Sequence, residues 1–180
     1  IRDRTSTTTL GYDRSGNGNH WTLNNYSTDN AILDTPTNNF PVWNPTTVNM
    51  GQGSNGTLTN GNLEWLGTQN NDQCVATMAV ESGKWYYEFV INTKVSTPMC
   101  GVCQNDYFSG GAGRILYRAG GHYVMADGSE PTTPDAYDVG DIIGVAIDLD
   151  DTAGNIRFYK NGTLQTVNAA LNNVKAHLSI

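Results

Sequence analysis

The stretch that most constrains this chain is one hairpin near its C-terminal end. Asp141-Ile-Ile-Gly-Val-Ala-Ile-Asp148 is an apolar run of strand length, entered through Val139-Gly140 and left through an acidic turn. Asn155-Ile-Arg-Phe-Tyr-Lys160 returns antiparallel with Ile156 and Phe158 inward, and Asn161-Gly162 follows at once. A type I′ turn needs positive φ at both central positions, so Asn-Gly beside alternating segments is the strongest short-range hairpin signal. A short β-branched apolar run bounded by glycine reads as a buried strand.

The pattern extends upstream. Lys84 to Asn92 alternates most clearly, with Trp85, Tyr87, Phe89 and Ile91 on one face and Tyr86, Glu88 and Val90 on the other. Cys74–Val80, Met99–Gln104 and Leu164–Val167 are further apolar runs of strand length, and Asn62–Leu66 alternates briefly. Arg114–Tyr117 and His122–Ala126 pair through Ala119-Gly-Gly121, and Lys175–Ile180 begins a strand cut short by the chain's end. Asn and Thr occur 21 times each, and both favour turns and strands over helices. Strands about every ten residues, with turns between them, predict an all-β fold, an antiparallel two-sheet β-sandwich over residues 61–180.

Residues 1–60 have a different texture. Asp13-Arg-Ser-Gly-Asn-Gly-Asn-His-Trp21, Asp34-Thr-Pro-Thr-Asn-Asn-Phe40 and Pro41-Val-Trp-Asn-Pro45 are dense in turn formers, and the closely spaced prolines strongly disfavour helix around them. Trp21, Leu33, Phe40 and Trp43 are isolated anchors, so this irregular lead-in is expected to pack on the sandwich or link to it. The chain begins Ile1-Arg-Asp-Arg4, without an initiator Met or a signal-peptide core, and reads as a piece of a longer or processed protein.

Charge and cysteine usage narrow the function classes. A net charge of −7 with only ten Lys and Arg opposes a phosphate-binding footprint, so no nucleic-acid partner is expected. No run of 18 apolar residues exists to insert into a membrane as a helix. Three cysteines, Cys74, Cys100 and Cys103, cannot all pair within one chain. Cys100-Gly-Val-Cys103 has the spacing of a metal knuckle or redox pair, but strand geometry turns the two to opposite faces and favours buried thiols. No cofactor is expected.

Three blocks carry a family resemblance. Ser82-Gly-Lys-Trp-Tyr-Tyr-Glu-Phe89, the stretch from Tyr137 to Gly162, and Ala176-His-Leu-Ser-Ile180 resemble the SPRY domain, a concanavalin A-like jelly-roll sandwich used as a binding module. The lead-in resembles segments that precede SPRY-like domains in bacteriophage structural proteins. Together these resemblances imply a non-enzymatic component of the virion exterior, in a fibre, the tail or a head decoration. They imply other virion subunits and a host-surface glycan or receptor as partners, and a homo-oligomer, trimeric in a fibre. A purely structural assembly module is the alternative, and a polysaccharide depolymerase a third reading.

Sandwich domains bind through loops, because their strands are committed to packing. The region from Asn105 to Asp138 mixes glycine with Tyr107, Phe108, Arg114, Arg118 and His122, side chains suited to a ligand-binding surface. Tyr117 and Tyr123 lie in the same region, and alternation assigns them to the core. A glycosidase would need two carboxylates on one face, for which Glu88 and the cluster Asp148, Asp150 and Asp151 are the candidates. The same three aspartates are weak calcium candidates, since hard oxygen ligands at alternate positions suit that ion. Short acidic residues where a strand enters a turn are otherwise commonplace.

Overall fold

The computed structural model describes residues 6–28, 40–47, 56–68, 72–104, 113–125, 128–129, 134–152, 154–170 and 178–179. Among these residues a one-turn helix, α1 (Thr7–Leu10), precedes eleven strands. These are β1 (Thr57–Thr59), β2 (Glu64–Leu66), β3 (Ala79–Val80), β4 (Lys84–Val90), β5 (Met99–Gln104) and β6 (Arg114–Arg118). β7 (His122–Val124), β8 (Ile142–Asp148), β9 (Asn155–Lys160), β10 (Thr163–Ala170) and β11 (Leu178–Ser179) follow. Among the described residues, one sheet runs β10-β9-β8-β4, a second β3-β11-β5-β6-β7, and β1 and β2 form a two-stranded pair. Every named pairing is antiparallel, as the alternation requires.

The two larger sheets close on one core. Ile143, Val145 and Ile147 of β8 and Ile156 and Phe158 of β9 meet Val102 of β5, Ile115 and Tyr117 of β6 and Tyr123 of β7. This is the two-sheet β-sandwich that the strand pattern predicts. The Phe158 ring lies 5.7 Å from Tyr117 and 5.4 Å from Tyr123, centroid to centroid, tilted rather than face to face. The steeper Tyr117 contact sets the positive edge of one ring against the negative face of the other. Buried phenols need partners, and those of Tyr137, Tyr117 and Tyr87 find backbone carbonyls. Tyr137 Oη lies 2.7 Å from the Pro98 oxygen and 3.0 Å from that of Tyr117, while Tyr117 donates to the Asp135 carbonyl. Tyr87 reaches from β4 across the core and donates to the Gly101 oxygen on β5 at 2.9 Å, joining one sheet to the other.

The Asn-Gly turn forms as expected, with φ of 48° at Asn161 and 79° at Gly162. Asn161 also fastens the far end of the hairpin: its Oδ1 accepts from Ile142 N at 2.9 Å and its Nδ2 donates to Asp141 Oδ1 at 2.7 Å.

Elsewhere the structure departs from the reading of periodicity. Trp85 stands on the inward-facing register of β4 yet is 41% exposed. It sits at the strand's entry, where its indole N–H donates to the Ser82 carbonyl at 2.7 Å instead of entering the core. Of Cys74–Val80 only Ala79–Val80 joins a sheet. Residues 75–77 bond instead to the lead-in, Asn44 N donating to the Val75 oxygen and Thr77 N to that of Val42, both at 2.8 Å. Trp43 then stacks on Phe89 of β4 at 5.6 Å and tilts against Trp65 at 5.7 Å. A boundary at residue 60 falls inside the β1–β2 hairpin, whose turn residues Asn60, Gly61 and Asn62 all take positive φ. No helix among the described residues is long and apolar enough to cross a membrane.

Candidate functional site

Two outer sheet faces carry the side chains on which recognition can be built. On β6, Ile115 and Tyr117 turn into the core, so Arg114, Leu116 and Arg118 turn outward. On β7, Tyr123 is core and His122 faces out. The register sets Arg118 between Met99 of β5 and His122, and Arg114 opposite Cys103. Three of the expected ligand-binding residues therefore share one face of two neighbouring strands; Tyr107 and Phe108 lie outside the described residues. The hairpin expected of Arg114–Tyr117 and His122–Ala126 forms, with Arg118 joining its first strand, so these half-buried groups ride on paired strands and not on a binding loop. Core assignment of Tyr117 and Tyr123 agrees with the structure, at 0% and 1% exposure.

This face is chemically distinctive. Four residues of strand set the Cα atoms of Arg114 and Arg118 about 13 Å apart on one face, in a chain whose net charge is −7. Arg114 Nε is buried and has no hydrogen-bond partner among the described residues. Burial pushes the Cys103 thiol up, and Arg114 across the ladder pulls it partly back. The arrangement offers fixed cationic donors to a carboxylate or hydroxyl-rich ligand.

The second surface is the outer face of β4, β8 and β9. Tyr86, Glu88 and Val90 stand opposite Ala146, Gly144 and Ile142, with Arg157 and Tyr159 beyond. The Tyr86 ring, 56% exposed, lies over Gly144, where a Cβ would collide with its hydroxyl. Its phenol donates to Glu88 Oε1 at 2.7 Å, a bond that raises its pKa to about 12. Tyr159 meets it edge-on at 6.4 Å. Val90, Ile142 and Leu164 are also exposed, so this face sets apolar side chains among Glu88 and Arg157. The signal for this face in the sequence was Tyr86, Val90 and Ile142 on the outward parity.

The acidic candidates are otherwise engaged. Glu88 and Asp148 share the outer face but stand four register positions apart, Glu88 opposite Gly144 and Asp148 opposite Lys84. That is about 13 Å along the sheet, beyond the roughly 6.5–9.5 Å of an inverting glycosidase pair. Asp148 pairs with Lys84 at 2.8 Å, and its other oxygen accepts from the backbone N–H groups of Asp150 and Asp151. The Lys84 bond is the main cause that lowers its pKa. Asp150 Oδ1 accepts from Gly83 N at 2.9 Å, tying the turn to the entry of β4. Among the described residues, no group of three His, Cys, Asp or Glu side chains is placed to hold a metal ion. Cys100 points into the core and Cys103 outward, so the Cys-x-x-Cys spacing does not bring two thiols together. Burial drives the Cys100 thiol up to about 12.

Comparison with known proteins bears on this geometry. The SPRY domain model matches residues 84–178, which include strands of both larger sheets from β4 onward. Among solved structures, the SPRY domain of human HERC1 superposes with a TM-score of 0.54 at 20% identity, over 76% of this chain and 86% of that one. At that identity the likeness establishes the fold alone. No curated protein matches the sequence.

Proposed function

This chain belongs to the SPRY domain family, and we propose that it is a ligand-recognition module on the exterior of a bacteriophage virion. SPRY domains are typically protein-interaction modules rather than enzymes, and the phage-like lead-in supports the setting. The observation that carries the reading is the outward row of Arg114, Arg118 and His122, fixed donors on an otherwise acidic chain. Such a face takes a host-surface glycan or receptor bearing carboxylates or hydroxyls. Competition tests it: purified chain added to host cells should reduce phage adsorption, and an R114A/R118A double variant should not. Chain that leaves adsorption unchanged would refute host recognition.

A second reading has its own support. The outer face of Tyr86, Val90, Ile142 and Leu164 is the kind of surface that a neighbouring virion subunit covers. In that reading the module joins subunits and has no host ligand. A particle structure with this face buried and the β6–β7 face buried too would favour it.

A further inference from the structure

The lead-in contains a loop built on its own hydrogen bonds. Trp21 N donates to the Gly11 carbonyl at 2.8 Å, closing residues 11–21 on themselves. A Cβ at Gly11 would run into the Trp21 oxygen, so only glycine permits the closure. Asp13 holds the interior: one carboxylate oxygen accepts from Ser15 N at 2.8 Å, the other from Ser15 Oγ at 2.7 Å and Asn19 N at 3.1 Å. Its own N–H donates to His20 Nδ1 at 3.0 Å, and the His20 ring stacks on Tyr12 at 4.5 Å. Gly16 and Gly18 supply the positive φ that the turn requires.

That fixed scaffold holds its largest apolar groups in the open. Trp21 is 80% exposed, and Tyr12 and Tyr26 are exposed beside it. All three border a cleft of about 760 Å³ whose lining also includes Arg14, Asn19 and Asn24. An indole gains more from burial than almost any side chain, so one held outward on a rigid loop marks a contact surface. The chemistry of the lining identifies the class of partner. Flat aromatic faces alternate with amide and hydroxyl groups that both donate and accept, which matches a sugar ring's C–H face and its hydroxyls. Arg14 is the only cation among the described residues that line the cleft, too little for a nucleic-acid backbone. No strand edge borders it among those residues, so an extended peptide has no ladder to join.

We propose that residues 11–26 form a saccharide-binding cleft in which a sugar ring stacks on Trp21 and hydrogen-bonds to Asn19 and Asn24. The site is separate from the β6–β7 face and stands whether or not that face binds a host ligand.

The test uses the full chain on an array of plant, algal and bacterial glycans, followed by fluorescence titration with the oligosaccharide that is retained. Subtracting the W21F spectrum isolates Trp21 from the other three tryptophans. At least one saccharide should bind saturably and perturb Trp21. W21A should weaken it by roughly thirtyfold, the size of a truncated aromatic hot spot, with W21F retaining most of the affinity. R114A/R118A should bind the saccharide as the wild-type chain does, which separates this site from the sandwich face. Retention of no glycan overturns the proposal, as does undiminished binding by W21A. Saccharide binding lost in R114A/R118A would move the site to the sandwich, and peptides selected on the cleft where no glycan binds would assign it to protein recognition. Should W21A lose its thermal transition, the Trp21 signal of the wild-type chain and a Y26A variant decide in its place.

Discussion

Removing a single oxygen from Tyr137 tests how the core satisfies its polar atoms. Tyr137 is 1% exposed, and its hydroxyl serves the carbonyls of Pro98 at 2.7 Å and Tyr117 at 3.0 Å. Tyr137→Phe keeps the ring and its edge-on contact with Tyr117 at 4.9 Å, so almost no cavity opens. What is lost is a buried donor. The Pro98 oxygen keeps a second partner, Ala119 N at 3.0 Å, which tempers the penalty. A buried bond lost with partial compensation costs about 2 kcal/mol. For a domain of this size that corresponds to a fall of about 4–8 °C in Tm. Tyr86→Phe is the control: the same atom is deleted, but from an exposed ring whose partner Glu88 is also exposed. It should move stability by less than about 0.5 kcal/mol. Urea unfolding followed by tryptophan fluorescence, with equal m-values, measures both. If Tyr137→Phe falls within 0.5 kcal/mol of Tyr86→Phe, the reasoning about the buried phenol is wrong.

Three further outcomes follow from the packing. Gly101→Ala on β5 drives a methyl against the Ile115 carbonyl of β6; overpacking there should cost about 1–3 kcal/mol in the same urea assay. The folded chain holds the Tyr87, Tyr117 and Tyr137 phenols and the Cys100 thiol protonated above their ordinary range, chiefly through burial. The native state therefore binds more protons than the unfolded one from about pH 9 upward, so the contribution of these groups is full below that pH and stability falls as pH rises toward 12; urea midpoints across that range check it. Because Asp148 is committed to Lys84 and to turn N–H groups, millimolar calcium or its chelation should leave the thermal midpoint unmoved, and a calcium-dependent rise would restore those aspartates as ligands.

The sequence disclosed most where backbone and side-chain signals agreed. Asn161-Gly162 sits beside strands of matching parity, and its turn forms with the side chain of Asn161 tying the hairpin down. Alternation also separated Tyr117 and Tyr123, which are core, from Arg114, Arg118 and His122, which face out. What parity cannot give is partner choice. Cys74–Val80 reads as a strand, but its first half bonds to residues 42–44 of the lead-in, a pairing set by tertiary placement alone. The exposed Tyr86 face was hidden for a related reason. Its packing depends on Gly144, a residue of a different strand, whose missing side chain leaves room for the ring. The Asp13–Trp21 loop was visible as a motif in the sequence, but its rigidity emerges only once the Asp13 carboxylate and the Tyr12–His20 stack are seen together.

The central claim is that this SPRY module recognises a host-surface ligand through the β6–β7 face. Equilibrium binding of purified wild-type chain and R114A/R118A to intact host cells, measured side by side at fixed ionic strength, tests it most directly. Saturable binding by the wild-type chain, lost in the double variant while both melt at the same temperature, is the predicted result. Equal binding by the two proteins, or none by either, would contradict it.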